Sequence, residues 1–257
     1  MTTPAPTAPA LRVLSLGGPS LLVEYGGVRF AVDPTFDSAG EYPIGSRSLT
    51  KTTDAPLQPG DLGPVDAVLL SHDQHPDNLD RGGRAFLTTV PLVVTTPLAA
   101  GRLDATSRGL EPWEAVAIGE VVVTAVPAQH GPDGTEAATG PVTGFVLEAG
   151  GTPTVYISGD NASLRLVAGI AERFPTIEVA ILFAGAARTP LVDGCLTLTS
   201  AEAVEAAQLL GGPRVLPAHT EGWAHFSEST DDFRAAFAAA GLGDLLLDST
   251  PGAWVSL

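Results

Sequence analysis

The sequence predicts a layered α/β domain, and three features of the chain support this prediction. Short apolar runs typical of strands, separated by glycine pairs, dominate the first half. Strands alternate with amphipathic helices in the second half, and no linker-like segment divides the chain. With 257 residues, 44% of them hydrophobic, the chain is long enough to bury a sizeable core. We therefore expect one folded unit over residues 11–257, preceded by a flexible tail over residues 1–10.

The first half is predicted to begin as a β-meander and to continue into a long loop. Gly17-Gly18 and Gly26-Gly27 separate three apolar runs, as tight turns between strands do. A segment without regular pattern follows at 34–64, and loops of this length are usually functional or disordered. The strands predicted in this half and just beyond it are 11–16, 21–25, 28–32, 67–70, 91–95, 121–126, 145–148 and 154–158.

The second half is predicted to alternate helices with strands. Either Thr199 or Ser200 caps a helix that ends near residue 210, and Glu202 lies three residues after Thr199, as in a capping box. The glycine pair and proline at 211–213 then stop this helix. Further helices are predicted at 162–174 and 228–240, and further strands at 178–183, 214–217, 245–247 and 253–255.

Charge and composition exclude several classes of function. The formal charge of -16 argues against a nucleic-acid partner, because phosphate backbones are bound by clustered cations. The longest apolar stretch, around 179–187, is far shorter than the roughly 20 residues of a membrane-spanning helix. The N-terminus lacks the pattern of a signal peptide, and the single Cys195 cannot form an intramolecular disulfide. We expect a cytoplasmic protein with a small-molecule substrate and no membrane partner, and the oligomeric state stays open.

Side chains able to bind a metal follow directly on several predicted strands. His72, His130, His219 and Asp160 each stand at such a strand end, and in layered α/β folds strand ends along one rim build the site. Imidazole and carboxylate are the ligands that zinc and related metals prefer. Such a metal makes hydroxide available at neutral pH. The sequence therefore predicts a metal site, with Asp160 the natural carboxylate to be shared between two ions.

Five segments resemble, in order, the motifs of the metallo-β-lactamase superfamily. They are Val32-Asp33-Pro34, the run SHDQHPDN at 71–78, Gln129-His130-Gly131, Ser158-Gly159-Asp160-Asn161 and Ala218-His219. The run HTEGWAHF at 219–226 is similar to the bacterial branch near the ascorbate-phosphate lactonase-like proteins. The resemblance implies a single-domain, four-layer αββα sandwich with a metal site at one edge of the two central sheets.

The resemblance also implies the reaction and the metal. The reaction is hydrolysis of an ester, lactone, amide or phosphoester by a metal-bound hydroxide. Zinc is the implied cofactor, as one or two ions, with manganese or iron as the alternative metals. The implied ligands are His72, His75 and His130 for the first ion and Asp77, Asp160 and His219 for the second. Asp77 and Asp160 are also the implied catalytic residues, which orient the hydroxide and take its proton.

The second motif departs from the family pattern His-x-His-x-Asp-His. Either Gln74 takes the place of the second histidine, or the loop carries one extra residue and His75 takes it. We favour His75, because this alignment also keeps Asp77 in use. Asn78 then stands where the family has a histidine, so the second metal is expected to bind more weakly than the first.

The other residues near these motifs are expected to support the site or to contact substrate. They are Asp33, Asp73, Gln74, Asn78 and His225. The alternative function is a degenerate member of the same fold that binds metal or ligand without hydrolysis, and Gln74 and Asn78 motivate it. A nuclease of the same superfamily is disfavoured by the charge of -16.

Overall fold

Two mixed β-sheets form the middle of the fold in a computed structural model that describes residues 11–257. The flexible tail expected at 1–10 lies outside the described residues. The first sheet has seven strands, in the spatial order Trp254–Ser256 (β15), Leu11–Gly17 (β1), Ser20–Tyr25 (β2), Val28–Val32 (β3), Ala67–Leu69 (β6), Val93–Thr95 (β7) and Ser107–Gly109 (β8). The second has six, in the order Arg214–Ala218 (β14), Ile177–Phe183 (β13), Thr154–Ile157 (β12), Thr143–Glu148 (β11), Val121–Pro127 (β10) and Ala115–Ile118 (β9).

The remaining elements cover the sheets or connect their strands. A separate hairpin is formed by Gly40–Ile44 (β4) and Arg47–Lys51 (β5). The α-helices are Arg81–Leu87 (α1), Pro97–Ala100 (α2), Glu136–Thr139 (α3), Leu164–Arg173 (α4), Ser200–Leu209 (α5) and Thr230–Ala239 (α6), and short 3-10 helices span Pro59–Asp61 and Gly243–Leu245. None of the helices within residues 11–257 is long and apolar enough to cross a membrane.

Alternation of side chains along the strands produces four layers. On β13, Val179, Ile181 and Phe183 pack into the core between the two sheets, whereas Ala180 and Leu182 pack against helices α4, α5 and α6. On the other side, Phe86 and Leu87 of α1 cover the outer face of the first sheet. The predicted αββα sandwich is therefore confirmed.

Most predicted elements are present, with differences in the connecting segments. The capping box at Thr199 is confirmed, because its side chain and that of Glu202 bond reciprocally to the backbone of the helix start. The strand predicted at 245–247 is wrong: a 3-10 helix occupies Gly243–Leu245, and Leu246 forms only one isolated bridge, to Val215. The segment at 34–64 contains the β4–β5 hairpin, whose mostly polar strands hide the apolar alternation of a half-buried sheet.

The connectivity brings the ends of several strands to one edge of the molecule. Strands β3, β6 and β7 run parallel, as do β12, β13 and β14. The loops that follow β3, β6, β12 and β14 carry Asp33, His72, Asp160 and His219. Two of these residues have backbone torsions in the left-handed region, Asp33 with φ 38° and His219 with φ 57°. Such strain is common where a side chain must be aimed at a functional site.

Candidate metal centre

Three histidines from two loops converge on one point. His72 Nε2 lies 2.8 Å from His75 Nδ1, and His130 Nε2 lies 3.2 Å from the same atom. Ligands of a tetrahedral zinc with bonds of 2.0–2.1 Å are separated by about 3.3 Å. The three nitrogens are therefore spaced as one metal ion requires.

Hydrogen bonds fix which ring nitrogen of two of these histidines carries the proton. His130 Nδ1 lies 2.9 Å from the backbone carbonyl of Leu196, which can only accept, so Nδ1–H donates and Nε2 keeps its lone pair. Ser71 Oγ donates to Asp33 Oδ2 at 2.6 Å and lies 2.9 Å from His72 Nδ1, from which it can accept. Asp33 thus orients His72 through Ser71. The unprotonated Nε2 atoms of His72 and His130 both face the cluster, each with a lone pair available for a metal.

Two carboxylates and a histidine form a second group beside the first. His219 Nε2 lies 3.2 Å from Asp77 Oδ2 and 3.5 Å from Asp160 Oδ1. The other oxygen of Asp160 lies 3.6 Å from His130 Nε2, so this carboxylate faces both groups. Phe226 and Phe183 pack on the His219 ring, with ring centroids 3.9 and 5.7 Å away. The site is therefore held rigidly from its apolar side.

Burial and charge set opposite protonation tendencies in the two groups. Burial lowers the pKa of His75 to about 4, and His130 beside it acts in the same direction. Burial and the neighbouring His75 also lower the pKa of His72. Burial acts to lower the pKa of His219 as well, but Asp160 and Asp77 outweigh it and raise that pKa above its usual value. His72 and His75 are thus held in the neutral form, whereas the two carboxylates favour the charged form of His219.

The remaining predicted residues divide into those that reach these groups and those that do not. Asn78 is buried, and its Nδ2 lies 3.1 Å from both Asp33 Oδ2 and Asp160 Oδ1. His225 Nε2 lies 3.1 Å from Asp77 Oδ2. Gln74 points away, because its side chain bonds to the Asp73 amide and the Pro141 carbonyl.

Asp73 lies outside both donor groups. Its carboxylate is held by Arg102, whose Nε donates to Asp73 Oδ2 at 3.1 Å, and Arg84 lies 3.7 Å away. Asp73 is therefore tied to surface arginines and does not contact the His72 ring, although the sequence suggested a supporting role. The part of Ser71 was missed, although its position directly before His72 in the second motif was a signal for it.

A cavity opens onto both donor groups. About 490 Å³ of it is free of atoms, a volume that includes open solvent. His75, Asp77, His130 and His225 form its floor, and its walls come from the β4–β5 hairpin, helix α3 and the loops at 187–196. The hairpin contributes Ile44, Arg47 and Leu49. The long segment at 34–64 thus supplies one wall of the cavity.

Comparison with known proteins gives concordant matches. Residues 28–220 match the family described as "Beta-lactamase superfamily domain". The chain is 30% identical to a "UPF0173 metal-dependent hydrolase" of Methanosphaerula palustris over 178 residues, 66% of this chain and 75% of the relative. It is 25% identical to another of that description from Pyrococcus furiosus, over 87% of this chain and 91% of the relative.

Solved structures match over nearly the whole chain. An isothiocyanate hydrolase from Delia radicum gut bacteria superposes with a TM-score of 0.83 at 21% identity, covering 96% of this chain and 99% of that one. A metallo hydrolase from Ignicoccus hospitalis gives a TM-score of 0.72 at 20% identity, covering 96% and 98%. At these identities the superpositions show a shared fold.

Proposed function

The chain belongs to the beta-lactamase superfamily, and from that premise we propose that it is a metal-dependent hydrolase of small molecules. The observation that supports this most strongly is the pair of adjacent donor groups, His72, His75, His130 and Asp77, Asp160, His219, each with its atoms within 4.8 Å of one another. Relatives that cover most of the chain are named metal-dependent hydrolases. We propose zinc as the metal, because imidazole and carboxylate form its usual ligand set.

The residues present fit a metal at both groups. His72 and His130 each turn a lone pair toward His75 Nδ1, and one proton on that atom can satisfy only one of them. In the second group, Asp77 Oδ1 and Asp160 Oδ2 are buried and have no hydrogen-bond partner among the described residues. Unpaired buried acceptors are costly, and a cation bound between them removes that cost.

Each group would supply three protein ligands to one ion. His72, His75 and His130 would hold the first ion, and Asp77, Asp160 and His219 the second. When bound, such metals polarise the bond under attack and provide hydroxide at neutral pH. Asp160 faces both groups and would keep the two ions together.

Asp77 is placed to handle the proton of the attacking water. It lines the cavity, and His219 and His225 both contact its Oδ2, which leaves Oδ1 without a hydrogen-bond partner. Burial acts to raise the pKa of Asp77, but His225 and His219 outweigh it and hold that pKa well below the usual range. Asp77 is therefore ionised and able to accept a hydrogen bond from the attacking water, which orients that water; its low pKa makes it a weak base, because general-base catalysis is most efficient when the pKa lies near the working pH.

The proposal is tested by hydrolysis assays on matched metal-loaded and chelated protein. The panel contains activated esters, lactones, amides and phosphodiesters of small molecules. We expect turnover of at least one class, its loss on chelation and its recovery when zinc or manganese is returned. The Asp77→Asn variant should retain its fold and lose turnover.

One outcome would contradict hydrolysis. Full metal loading without turnover of any class in the panel would favour the ligand-binding alternative. The two complete donor groups are needed for metal binding in either case, so turnover and not metal content decides between hydrolysis and that alternative.

A further inference from the structure

Asn78 stands where the sequence resemblance places a metal-binding histidine, and the structure uses it differently. Its Nδ2 donates to Asp33 Oδ2 and to Asp160 Oδ1, each at 3.1 Å. Turning the amide over would set its oxygen against two carboxylate oxygens, so this orientation is the favourable one. The NH2 nitrogen of an amide offers no free lone pair to a metal, because that pair is delocalised into the carbonyl group. Asn78 thus acts as a hydrogen-bond donor that lies between the carboxylates of Asp33 and Asp160.

His225 approaches the second group from another segment of the chain. Its Nε2 lies 3.1 Å from Asp77 Oδ2, the same oxygen that His219 Nε2 approaches at 3.2 Å. Its backbone is fixed, since the His225 carbonyl accepts from Arg188 N at 3.0 Å and Phe226 bridges to Ala187. The ring is largely buried, and its Nδ1 has no hydrogen-bond partner among residues 11–257.

We propose that His225 is the fourth protein ligand of the second metal and replaces the imidazole absent at position 78. This inference rests on the proposed function. It gives the second site two carboxylates and two imidazoles, a set that zinc binds well. The second metal is then held by four protein groups, one more than the first, which replaces the weak second site expected from Asn78.

The test separates a ligand from a residue that only orients Asp77. His225→Gln keeps an N–H that can donate to Asp77 but removes the imidazole lone pair, and His225→Ala removes both. After zinc loading and dialysis against a weak chelator, elemental analysis should give two ions per wild-type chain and one per chain of either variant. If the lost ion is the second, X-ray absorption should show about three imidazole ligands per zinc in the variants, more than the average of about 2.5 in the wild type, where five histidines would hold two ions. Circular dichroism controls for folding.

The outcomes are distinct. Two zinc ions retained by His225→Gln would show that His225 acts only by its hydrogen bond and would overturn the inference. One tight ion in the wild type would also overturn it and restore the weak second site. A wild type that binds no metal would refute the proposed function itself.

A separate observation concerns the walls of the cavity. Arg47 at the start of β5 and Arg188 after β13 line the same space as the donor groups. Arg47 Nη1 donates to Thr189 Oγ1 at 2.7 Å, and Arg188 Nε to Ser227 Oγ at 3.4 Å. Within residues 11–257, the arginine ion pairs involve Arg12, Arg29, Arg81, Arg84, Arg102 and Arg234, so neither cavity arginine is neutralised by a carboxylate.

We infer that the substrate carries an anionic group that these two arginines bind. The inference rests on the proposed function and names the substrate class of the same site. Asp77 is the acidic residue of the lining, and two imidazoles engage it, so it does not oppose an anion. Leu191, Val192 and Leu196 line the cavity beside the arginines and provide contacts for an apolar body. A small molecule with an apolar part and a carboxylate or phosphate fits this arrangement.

A matched pair of esters tests this inference, one bearing a carboxylate and the other its neutral methylamide. The wild type should prefer the anionic ester by about 10-fold or more in kcat/KM. The double variant Arg47→Met, Arg188→Met should lose this preference, mainly through a higher KM for the anionic ester. Arg165→Met, on the exposed face of α4, is the control for loss of charge alone. Equal rates on both esters in the wild type would overturn the inference. No turnover of either ester or of the wider panel would instead count against the proposed function.

Discussion

Replacement of His75 by alanine should damage the metal centre far more than replacement of its neighbour Gln74. His75 Nδ1 is the atom that both other nitrogens of the first group approach, at 2.8 and 3.2 Å. Gln74 instead accepts from the Asp73 amide at 3.0 Å and donates to the Pro141 carbonyl at 3.1 Å. The two substitutions are adjacent in sequence, and only one removes a donor that faces the cluster.

The size of each effect follows from these contacts. Loss of a residue that merely supports a metal ligand costs about 10–100-fold in affinity, so loss of one of three ligands should exceed 100-fold. Gln74 Oε1 also accepts from Arg102 Nη2 at 3.3 Å, and loss of these three hydrogen bonds should cost about 1–2 kcal/mol of stability, since each contributes about 0.5–1.5 kcal/mol and the residue is only half-buried. His75→Ala should therefore lose metal while keeping its fold.

Competition with a coloured zinc chelator gives the affinity of both variants, and urea unfolding gives their stability. We expect a shift of more than 100-fold in zinc affinity for His75→Ala and less than 3-fold for Gln74→Ala. Equal losses of affinity, or a greater loss at Gln74, would refute the placement of His75 in the first group.

Three further predictions concern the same site and its support. His130→Ala should lose tight metal binding and turnover while circular dichroism stays unchanged, because the residue lies on a loop; wild-type metal content would contradict its assignment. On acidification from pH 8 to 5, the second metal should leave first, because the raised pKa of His219 lets protons compete with the metal there at a higher pH than at His75, whose pKa is about 4. Elemental analysis after dialysis at each pH would show the order of loss, and earlier loss of the first metal would contradict this prediction. Lys51→Met should destabilise the fold by about 3 kcal/mol in urea unfolding, because Lys51 Nζ lies 3.5 Å from the buried Asp80 and donates to the Asp37 carbonyl at 2.9 Å; a change under 1 kcal/mol would show that this pair does not anchor the hairpin.

The sequence was most informative where strands end. Apolar runs locate β6, β10 and β14, and a histidine directly after each run predicts that the side chains meet at one edge. Parallel pairing places the end of β6 beside that of β3 and the end of β14 beside that of β13, whereas β10 pairs antiparallel with its neighbours, so the position of His130 does not follow from parallel pairing. A layered α/β domain with site residues at strand ends could therefore be predicted from the pattern, and the four-layer arrangement was implied by the resemblance to the metallo-β-lactamase superfamily.

Contacts that depend on loop conformation could not be predicted. His225 lies 148 positions from Asp77, and nothing in the spacing to His219 shows that its ring returns to the same carboxylate. Asn78 could be read only as a missing histidine, because its bonds to Asp33 and Asp160 join three separate loops. The β4–β5 hairpin escaped prediction because charged and hydroxyl residues, glycine and proline occupy most positions of its strands.

Anomalous diffraction from metal-loaded crystals tests the account of the metal centre most directly. Data collected on both sides of the zinc absorption edge should show two peaks, one bonded by His72, His75 and His130 and the other by Asp77, Asp160 and His219. A single peak at the first group would leave the hydrolytic site but refute a complete second site. Peaks elsewhere in a fully loaded protein, with both donor groups empty, would contradict the account.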